Sequence, residues 1–313
     1  MSIDKDYLDK FIFVTQRAAC GAFPQIGKND KILADKGAVD VMRSELNKIK
    51  MDGKIVIGEG EMDEAPMLFI GENLGTKDGQ KLDIAVDPLE GTNFVAKNLP
   101  NSFSMMAVAE RNNLFSAPDT YMEKIAIGSN LPKDLIDLDN SVTQNINILA
   151  EALNKKTNEL TACVLNRPRH NKIISDLKSQ DVNIKLITDG DVFGAIQVVD
   201  PLSRVDIYMG IGGGPEGVLA AAALDCLGGQ MHTRLVLDKE QSERALKLGI
   251  KELKKKYRIR DMIKGDVMFC ATAITDGDLL NGIKEDGNNY IATTYALHKE
   301  LSIIKKISSK IQK

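Results

Sequence analysis

Leu82-Asp83-Ile84-Ala85-Val86-Asp87-Pro88-Leu89-Glu90-Gly91-Thr92-Asn93 carries the main structural signal of this chain. An apolar run of strand character ends at a carboxylate, and a proline–glycine turn follows. Pro88 fixes its own φ and keeps Asp87 extended. The turn aims Asp87, Glu90 and the Thr92 hydroxyl toward one point. Two carboxylates three residues apart beside a hydroxyl suit a metal-and-nucleophile site. The competing reading is a capped turn in which Asp87 accepts backbone amides. A second apolar run upstream, Lys54-Ile55-Val56-Ile57, leads into another acidic turn, Gly58-Glu59-Gly60-Glu61-Met62-Asp63-Glu64. Carboxylates gathered at strand ends repel one another unless a cation separates them, and a hard divalent ion with oxygen ligands does so. Carboxylates, metal and hydroxyl together point to hydrolysis of a phosphate ester.

Further from this centre, residues 4–20 are amphipathic, with Tyr7, Leu8, Phe11, Ile12, Val14 and Thr15 among polar positions. They predict a helix that stops before Gly21 and Pro24. A polar turn at 27–31 precedes a second helix expected over 35–50, with Val39, Val41, Met42 and Leu46 on one face. Downstream, Phe103–Val108 and Leu114–Phe115 flank the turn signal Asn112-Asn113 and read as antiparallel strands. Tyr121–Ile127 reads as another. Helices are expected over 143–155, from His170 to about Lys178, and over 192–198, 215–227 and 240–256. Strands are expected at Thr161–Leu165, Ile184–Ile187, Val205–Met209, Leu235–Leu237, Val267–Ile274 and Ile291–Ala296. An antiparallel-looking half thus meets an α/β half near 155–165, which divides the chain into domains 1–160 and 161–313.

Three other motifs bear on chemistry. Gly210-Ile211-Gly212-Gly213-Gly214-Pro215-Glu216-Gly217 follows a strand and opens a helix. Pro215 suits the first helical turn, and Glu216 suits the positive end of the helix dipole. Such a start is a natural anion or metal site. Gly212, Gly214 and Gly217 also match G-x-G-x-x-G, with Asp238 about 20 residues on, which has the form of a dinucleotide motif. That reading fails on length, since 75 residues follow Asp238, and it leaves the acids at 59–64 and 87–90 without a task. Arg167-Pro168-Arg169 reads as a phosphate clamp or as surface arginines. Asp189-Gly190-Asp191 reads as a binder of sugar hydroxyls or as a helix cap. His170, His232 and His298 show no metal spacing and receive no catalytic role.

The 313 residues are 43% hydrophobic and 27% charged, with a net charge of −3. That composition supports a real core and argues against nucleic acid as the main partner, which needs a basic surface. Cys20, Cys163, Cys226 and Cys270 are isolated and read as buried, reduced thiols. The N-terminus lacks the basic start and apolar run of a signal peptide, and no stretch has the ~18 apolar residues of a membrane span. A soluble, cytoplasmic protein is expected.

Taken in this order, the motifs resemble the class II fructose-1,6-bisphosphatases of bacteria, within the lithium-sensitive, metal-dependent sugar-phosphatase superfamily. The superfamily signature is Asp-Pro-x-Asp-Gly-Thr/Ser. Here it reads Asp87-Pro88-Leu89-Glu90-Gly91-Thr92, with Glu90 in place of the usual aspartate. That departure, with the acidic segment from Gly58 to Met67, is similar to the class II pattern, and the resemblance spans residues 5 to 300 or so. It implies a layered α/β/α/β/α fold with mixed sheets, the acidic motifs in domain 1–160 and sugar-phosphate contacts in domain 161–313. It implies removal of the 1-phosphate of fructose 1,6-bisphosphate to give fructose 6-phosphate in gluconeogenesis, with Mn²⁺ or Mg²⁺, in a dimer or tetramer. Metal ligands then fall on Asp35, Glu59, Asp87, Glu90 and Glu216. Substrate contacts fall on Glu90, Gly91, Thr92, Tyr121, Arg167, Pro168, Arg169, Asp189, Gly190, Asp191 and Gly213. Lys31 and Asp63 lie beside the reacting centre and, with Glu59 and Thr92, form the catalytic set. Arg167 is lysine in some relatives. Water attack assisted by Thr92 is preferred to a phospho-threonine intermediate. The alternatives are a sedoheptulose-1,7-bisphosphatase or dual-specificity bisphosphatase, an inositol-type monophosphatase, and a sugar-phosphate sensor without turnover. The Arg167/Arg169 pair favours a substrate with a second phosphate.

Overall fold

A computed structural model describes residues 2–60, 67–116, 118–247 and 249–313. The chain begins with α1 (Asp6–Ala22), α2 (Lys31–Leu46), β1 (Asp52–Ile57), β2 (Asn73–Leu74), β3 (Lys81–Glu90), α3 (Thr92–Ala96) and β4 (Phe103–Glu110). Next come β5 (Tyr121–Ile127), α4 (Val142–Leu153), β6 (Thr161–Leu165), α5 (Asn171–Ser179), β7 (Asn183–Ile187) and α6 (Asp191–Ile196). They are followed by β8 (Ile207–Gly213), α7 (Gly214–Leu227), β9 (Gln230–Val236), α8 (Lys239–Lys247), β10 (Lys256–Arg258) and α9 (Ile259–Met262). The chain ends with β11 (Val267–Ala273), β12 (Lys284–Asp286), β13 (Asn289–His298) and β14 (Ile303–Gln312). These elements form two compact units, Met1–Phe115 with Lys264–Lys313, and Ser116–Ile263. Both are mixed α/β.

The division differs from the expected 1–160 and 161–313. Strand pairing decides it. In the first unit the order is β12-β13-β11-β4-β3-β1-β2, with β14 on β13, so the C-terminal strands return to pair with β4. Tyr121–Ile127, expected as a strand of the domain 1–160, instead pairs with β8 and β9 in the second unit. Leu114–Phe115 forms no strand of its own.

One face of the first sheet carries a row of aligned apolar pairs: Ile84 with Val108, Val86 with Met106, Met106 with Cys270, and Cys270 with Ala296. Alternate residues of a strand share a face, and this face packs against Leu8, Phe11 and Ile12 of α1 and Val39, Met42 and Leu46 of α2. Gly21 does not end α1 as expected. It lies inside the helix, which runs on to Ala22. A Cβ on Gly37 of α2 would sit 2.5 Å from the Gly21 carbonyl oxygen, so the two glycines let α1 and α2 cross closely. α2 also begins earlier than expected, at Lys31, because Asp30 caps it by accepting the Leu33 amide at 2.9 Å.

In the second unit the order is β10-β9-β5-β8-β6-β7. β6, β7 and β8 are parallel, and β5 is antiparallel to β8. Ile125, Ile127, Ala162, Val164, Ile207 and Met209 face α4 and α5. The alanine-rich helix α7 is buried from Gly217 to Leu224, as a helix apolar all round must be. The charged helix expected over 240–256 is shorter, and β10 takes its last residue. No helix among the described residues is long and apolar enough to cross a membrane.

Candidate active site

In the first unit, β1 and β3 run parallel, with Ile55 opposite Ile84 and Ile57 opposite Ala85. Their carboxyl ends therefore lie side by side, with Gly58-Glu59-Gly60 after β1 and Asp87 to Glu90 closing β3. Asp87 accepts the Leu89 amide at 3.1 Å, so the capped-turn reading holds in part. It does not exhaust the carboxylate. Asp87 and Glu90 each present an oxygen within 4.8 Å of the other's. Glu90 is 6% exposed, and the Ser102 hydroxyl fixes its backbone carbonyl at 2.8 Å. The ladder with β4 shifts register between Asp87 and Glu90, which breaks the strand alternation and allows both acids to turn the same way. Gly91 then takes φ 77° and ψ 52° before Thr92 opens α3. A Cβ there would meet the Phe94 ring at 2.7 Å.

Glu59 follows β1. Its amide donates to Leu68 at 3.0 Å, and the Ile70 amide donates to Gly60 at 2.9 Å. Glu72, which the sequence reading passed over, supports this loop. Its buried carboxylate accepts from the Leu68 amide and from Arg43 of α2 at 2.6 Å. Asp35, on α2, is half-buried, and burial pushes its carboxyl above the ordinary aspartate value. Ala34 and Ala38 of α2 pack in one cluster with Leu89 and Val95, which sets the helix against the Asp87–Thr92 turn. Lys31, at the start of α2, is exposed. Asp63, with Glu61 and Glu64, lies outside the described residues.

In the second unit the expected substrate residues share one end of the sheet. Arg167 and Arg169 follow β6, Asp189 and Asp191 follow β7, Gly213 ends β8, and Tyr121 begins the antiparallel β5. Carboxyl ends of parallel strands are where open α/β sheets bind ligands. The Arg169 guanidinium donates to the Ile211 carbonyl from two nitrogens, at 3.0 and 2.8 Å. It also lies 4.7 Å from the centre of the Tyr121 ring. Pro168 and Arg169 belong to a single 3₁₀ turn, 168–170. Burial raises the Asp189 carboxyl, opposed by the charge of Arg167. Gly190 adopts φ 77° and places Asp191 at the start of α6. Glu216 stands in the first turn of α7, where the dipole favours a carboxylate.

Two residues here were not assigned from sequence. His170 is fully buried, and its two ring nitrogens bridge the Leu165 carbonyl and the Ile211 amide, each at 2.7 Å. Lys124 is buried beside Asp191. Neither has local spacing that would betray it. Asp238 forms a capping box with Gln241, at 2.8 and 3.0 Å, and so serves the start of α8 rather than a ribose. Cys20 is buried, which pushes its thiol up to about 11.

The carboxylate set is all oxygen, which fits a hard divalent cation. Residues 5–311 match the family model described as bacterial fructose-1,6-bisphosphatase, glpX-encoded. A class 2 fructose-1,6-bisphosphatase of Haemophilus influenzae is 41% identical over 96% of this chain and 94% of its own length. Fructose-1,6-bisphosphatase 1 class 2 of Escherichia coli K12 is likewise 41% identical, over 96% and 93%. Among solved structures, inositol monophosphatase from Anabaena (Nostoc) sp. PCC 7120 is similar at 13% identity, covering 65% of this chain and 74% of that one, with a TM-score of 0.33.

Proposed function

The chain belongs to the bacterial class 2 fructose-1,6-bisphosphatase family, and from that premise we propose that it hydrolyses the 1-phosphate of fructose 1,6-bisphosphate. It is a phosphoric monoester hydrolase, and its products are fructose 6-phosphate and phosphate. The observation that carries this reading is the pair of carboxylate oxygens of Asp87 and Glu90, within 4.8 Å, at the end of the strand that leads into Thr92.

Asp35, Glu59, Asp87, Glu90 and Glu216 are assigned as ligands of a divalent ion, Mn²⁺ or Mg²⁺. When bound, such an ion neutralises phosphate charge and makes water more acidic. The chain's own residues do the rest. The Thr92 hydroxyl orients the attacking water or helps deprotonate it, and Gly91 leaves the backbone clear beside it. A carboxylate, Glu59 or Asp63, takes the proton released as water attacks. A threonine hydroxyl without a strong base beside it ionises too little to attack well itself. Lys31 adds positive charge near the phosphate. Arg167 and Arg169, set by Pro168, take the second phosphate as paired donors. Tyr121, Asp189, Gly190, Asp191 and Gly213 are assigned to the sugar and its phosphates. The enzyme acts in gluconeogenesis, in the cytoplasm, as a homo-oligomer of two or four copies.

Phosphate release from a panel of sugar bisphosphates tests the reading. Turnover of fructose 1,6-bisphosphate should stop in EDTA and return with Mn²⁺ or Mg²⁺. Undiminished release after chelation would remove the metal from the reaction. A preference for the seven-carbon bisphosphate would move the assignment to the sedoheptulose reaction.

A further inference from the structure

A lysine rarely lies fully inside a protein, because its ammonium must give up water. Lys124 does so at one end of the second sheet. Its side chain is 1% exposed, and its nitrogen lies 2.5 Å from a carboxylate oxygen of Asp191, itself 6% exposed. The surroundings leave room for this pair. Lys124 stands opposite Gly210 in the β5–β8 ladder. A Cβ on Gly212 would run into the Asp191 carboxylate and come within 3.1 Å of the Lys124 nitrogen. A Cβ on Gly217, in α7, would touch the Lys124 stem at 3.6 Å. Two glycines, Gly212 and Gly217, thus line the lysine and its partner.

Asp191 is the first residue of α6, after Gly190 at the cap position, which offers no side chain there. One of its carboxylate oxygens is engaged by Lys124. We propose that Lys124 is a positioning residue for sugar recognition: it holds the Asp191 carboxylate aimed as an acceptor of hydroxyl groups on the carbohydrate. This rests on the reading of Asp191 as a sugar contact. An ionised carboxylate only accepts, so it discriminates for a polyol and against a bare phosphate ester.

The test compares fructose 1,6-bisphosphate with p-nitrophenyl phosphate, a phosphate ester without hydroxyls, in wild type, Lys124→Met, Asp191→Asn and the double variant. In Lys124→Met the ratio of kcat/KM for the sugar to that for p-nitrophenyl phosphate should fall about 10- to 100-fold, the scale of a hydrogen bond to a charged group. KM for the sugar should carry most of that fall. Because Lys124 acts through Asp191, the double variant should lose no more than Asp191→Asn alone. Should Lys124→Met fail to fold, the double variant, with neither buried charge, still gives this comparison. A parallel loss on both substrates together with a lower melting temperature would make the pair purely structural and overturn the proposal. So would additive losses. A wild type that leaves fructose 1,6-bisphosphate intact but hydrolyses p-nitrophenyl phosphate overturns the functional reading itself, and the assignment of Lys124 with it.

Discussion

Replacing His170 by phenylalanine keeps a ring of similar size and removes both ring nitrogens. The Ile211 N–H can only donate, so Nε2 must accept it, and the proton sits on Nδ1, which donates to Leu165. The imidazole is therefore neutral. Burial holds its pKa below the ordinary histidine value, and the charges of Arg169 and Arg167 act in the same direction. In His170→Phe the Leu165 carbonyl and the Ile211 amide lose their ring partners. The Leu165 carbonyl still accepts the Arg167 amide at 2.9 Å, so the stranded group is the Ile211 amide, and the cost should be about 1–3 kcal/mol. The loss also reaches the substrate end, because the carbonyl of the same Ile211 receives both bonds from Arg169. KM for fructose 1,6-bisphosphate should rise even where the variant is folded. The pH dependence has a definite sign. The unfolded chain takes up the histidine proton near pH 6.5, and the folded chain does so only at lower pH. The stabilisation is then complete above about pH 6.5 and declines as the pH falls toward the folded pKa, by at most ~1.4 kcal/mol per pH unit. Urea denaturation of both proteins at about pH 8 and pH 5.5 measures this, and the gap between them should narrow at the lower pH. A cost under about 1 kcal/mol at the higher pH, or a gap that does not change with pH, would refute the argument.

Three further substitutions probe the proposed chemistry. Gly91→Ala forces a Cβ into a left-handed conformation, at ~1–2 kcal/mol, and against Phe94; phosphate release should fall along with the urea midpoint, since Glu90 and Thr92 flank the site of strain. Thr92→Ala should lower kcat far more than it raises KM, and near-wild-type turnover would exclude this hydroxyl from the reaction. Arg169→Lys loses the two-pronged contact with Ile211 and the stacking on Tyr121. KM should rise several-fold because a single ammonium replaces the paired donors for phosphate. The melting temperature should fall only slightly, since an exposed cation–π contact contributes about 0.5–1 kcal/mol.

The turn from Asp87 to Thr92 was legible because its signal is local: an apolar run, a carboxylate and a turn residue lie within a dozen positions of one another. β6 was read to the residue, and α7 nearly so, for the same reason. The division into units was not legible. It depends on whether β5 pairs with β4 or with β8, and both strands have acceptable apolar faces. β14 escaped notice altogether. Its run Ile303-Ile304-Lys305-Lys306-Ile307 looks like a charged tail, yet it pairs along its whole length with β13. Lysines on an edge strand deter a further strand from adding there. The feature that hides this strand from a hydrophobicity reading is therefore one that keeps it an edge.

Lys124 and His170 were hidden for a different reason. Within Tyr121-Met122-Glu123-Lys124-Ile125, alternation gives Met122 and Lys124 one face and Glu123 the other. Sequence alone cannot say which of two charged neighbours goes inside. Burial of the lysine follows from two glycines and an aspartate that lie 67 to 93 positions away, a match between distant parts that leaves no periodic trace. His170 likewise gains its role from Leu165, five residues back, and Ile211, 41 residues on. The visible residues, Asp189, Asp191, Arg167 and Arg169, are those that carry charge at strand ends. The hidden ones fix where those charges point. If that division is sound, substitutions at the hidden positions should alter which sugar is accepted sooner than they alter the hydrolysis of phosphate as such. Equal losses on sugar bisphosphate and on a simple phosphate ester, at both Lys124 and His170, would show that supporting residues and recognising residues cannot be separated in this unit.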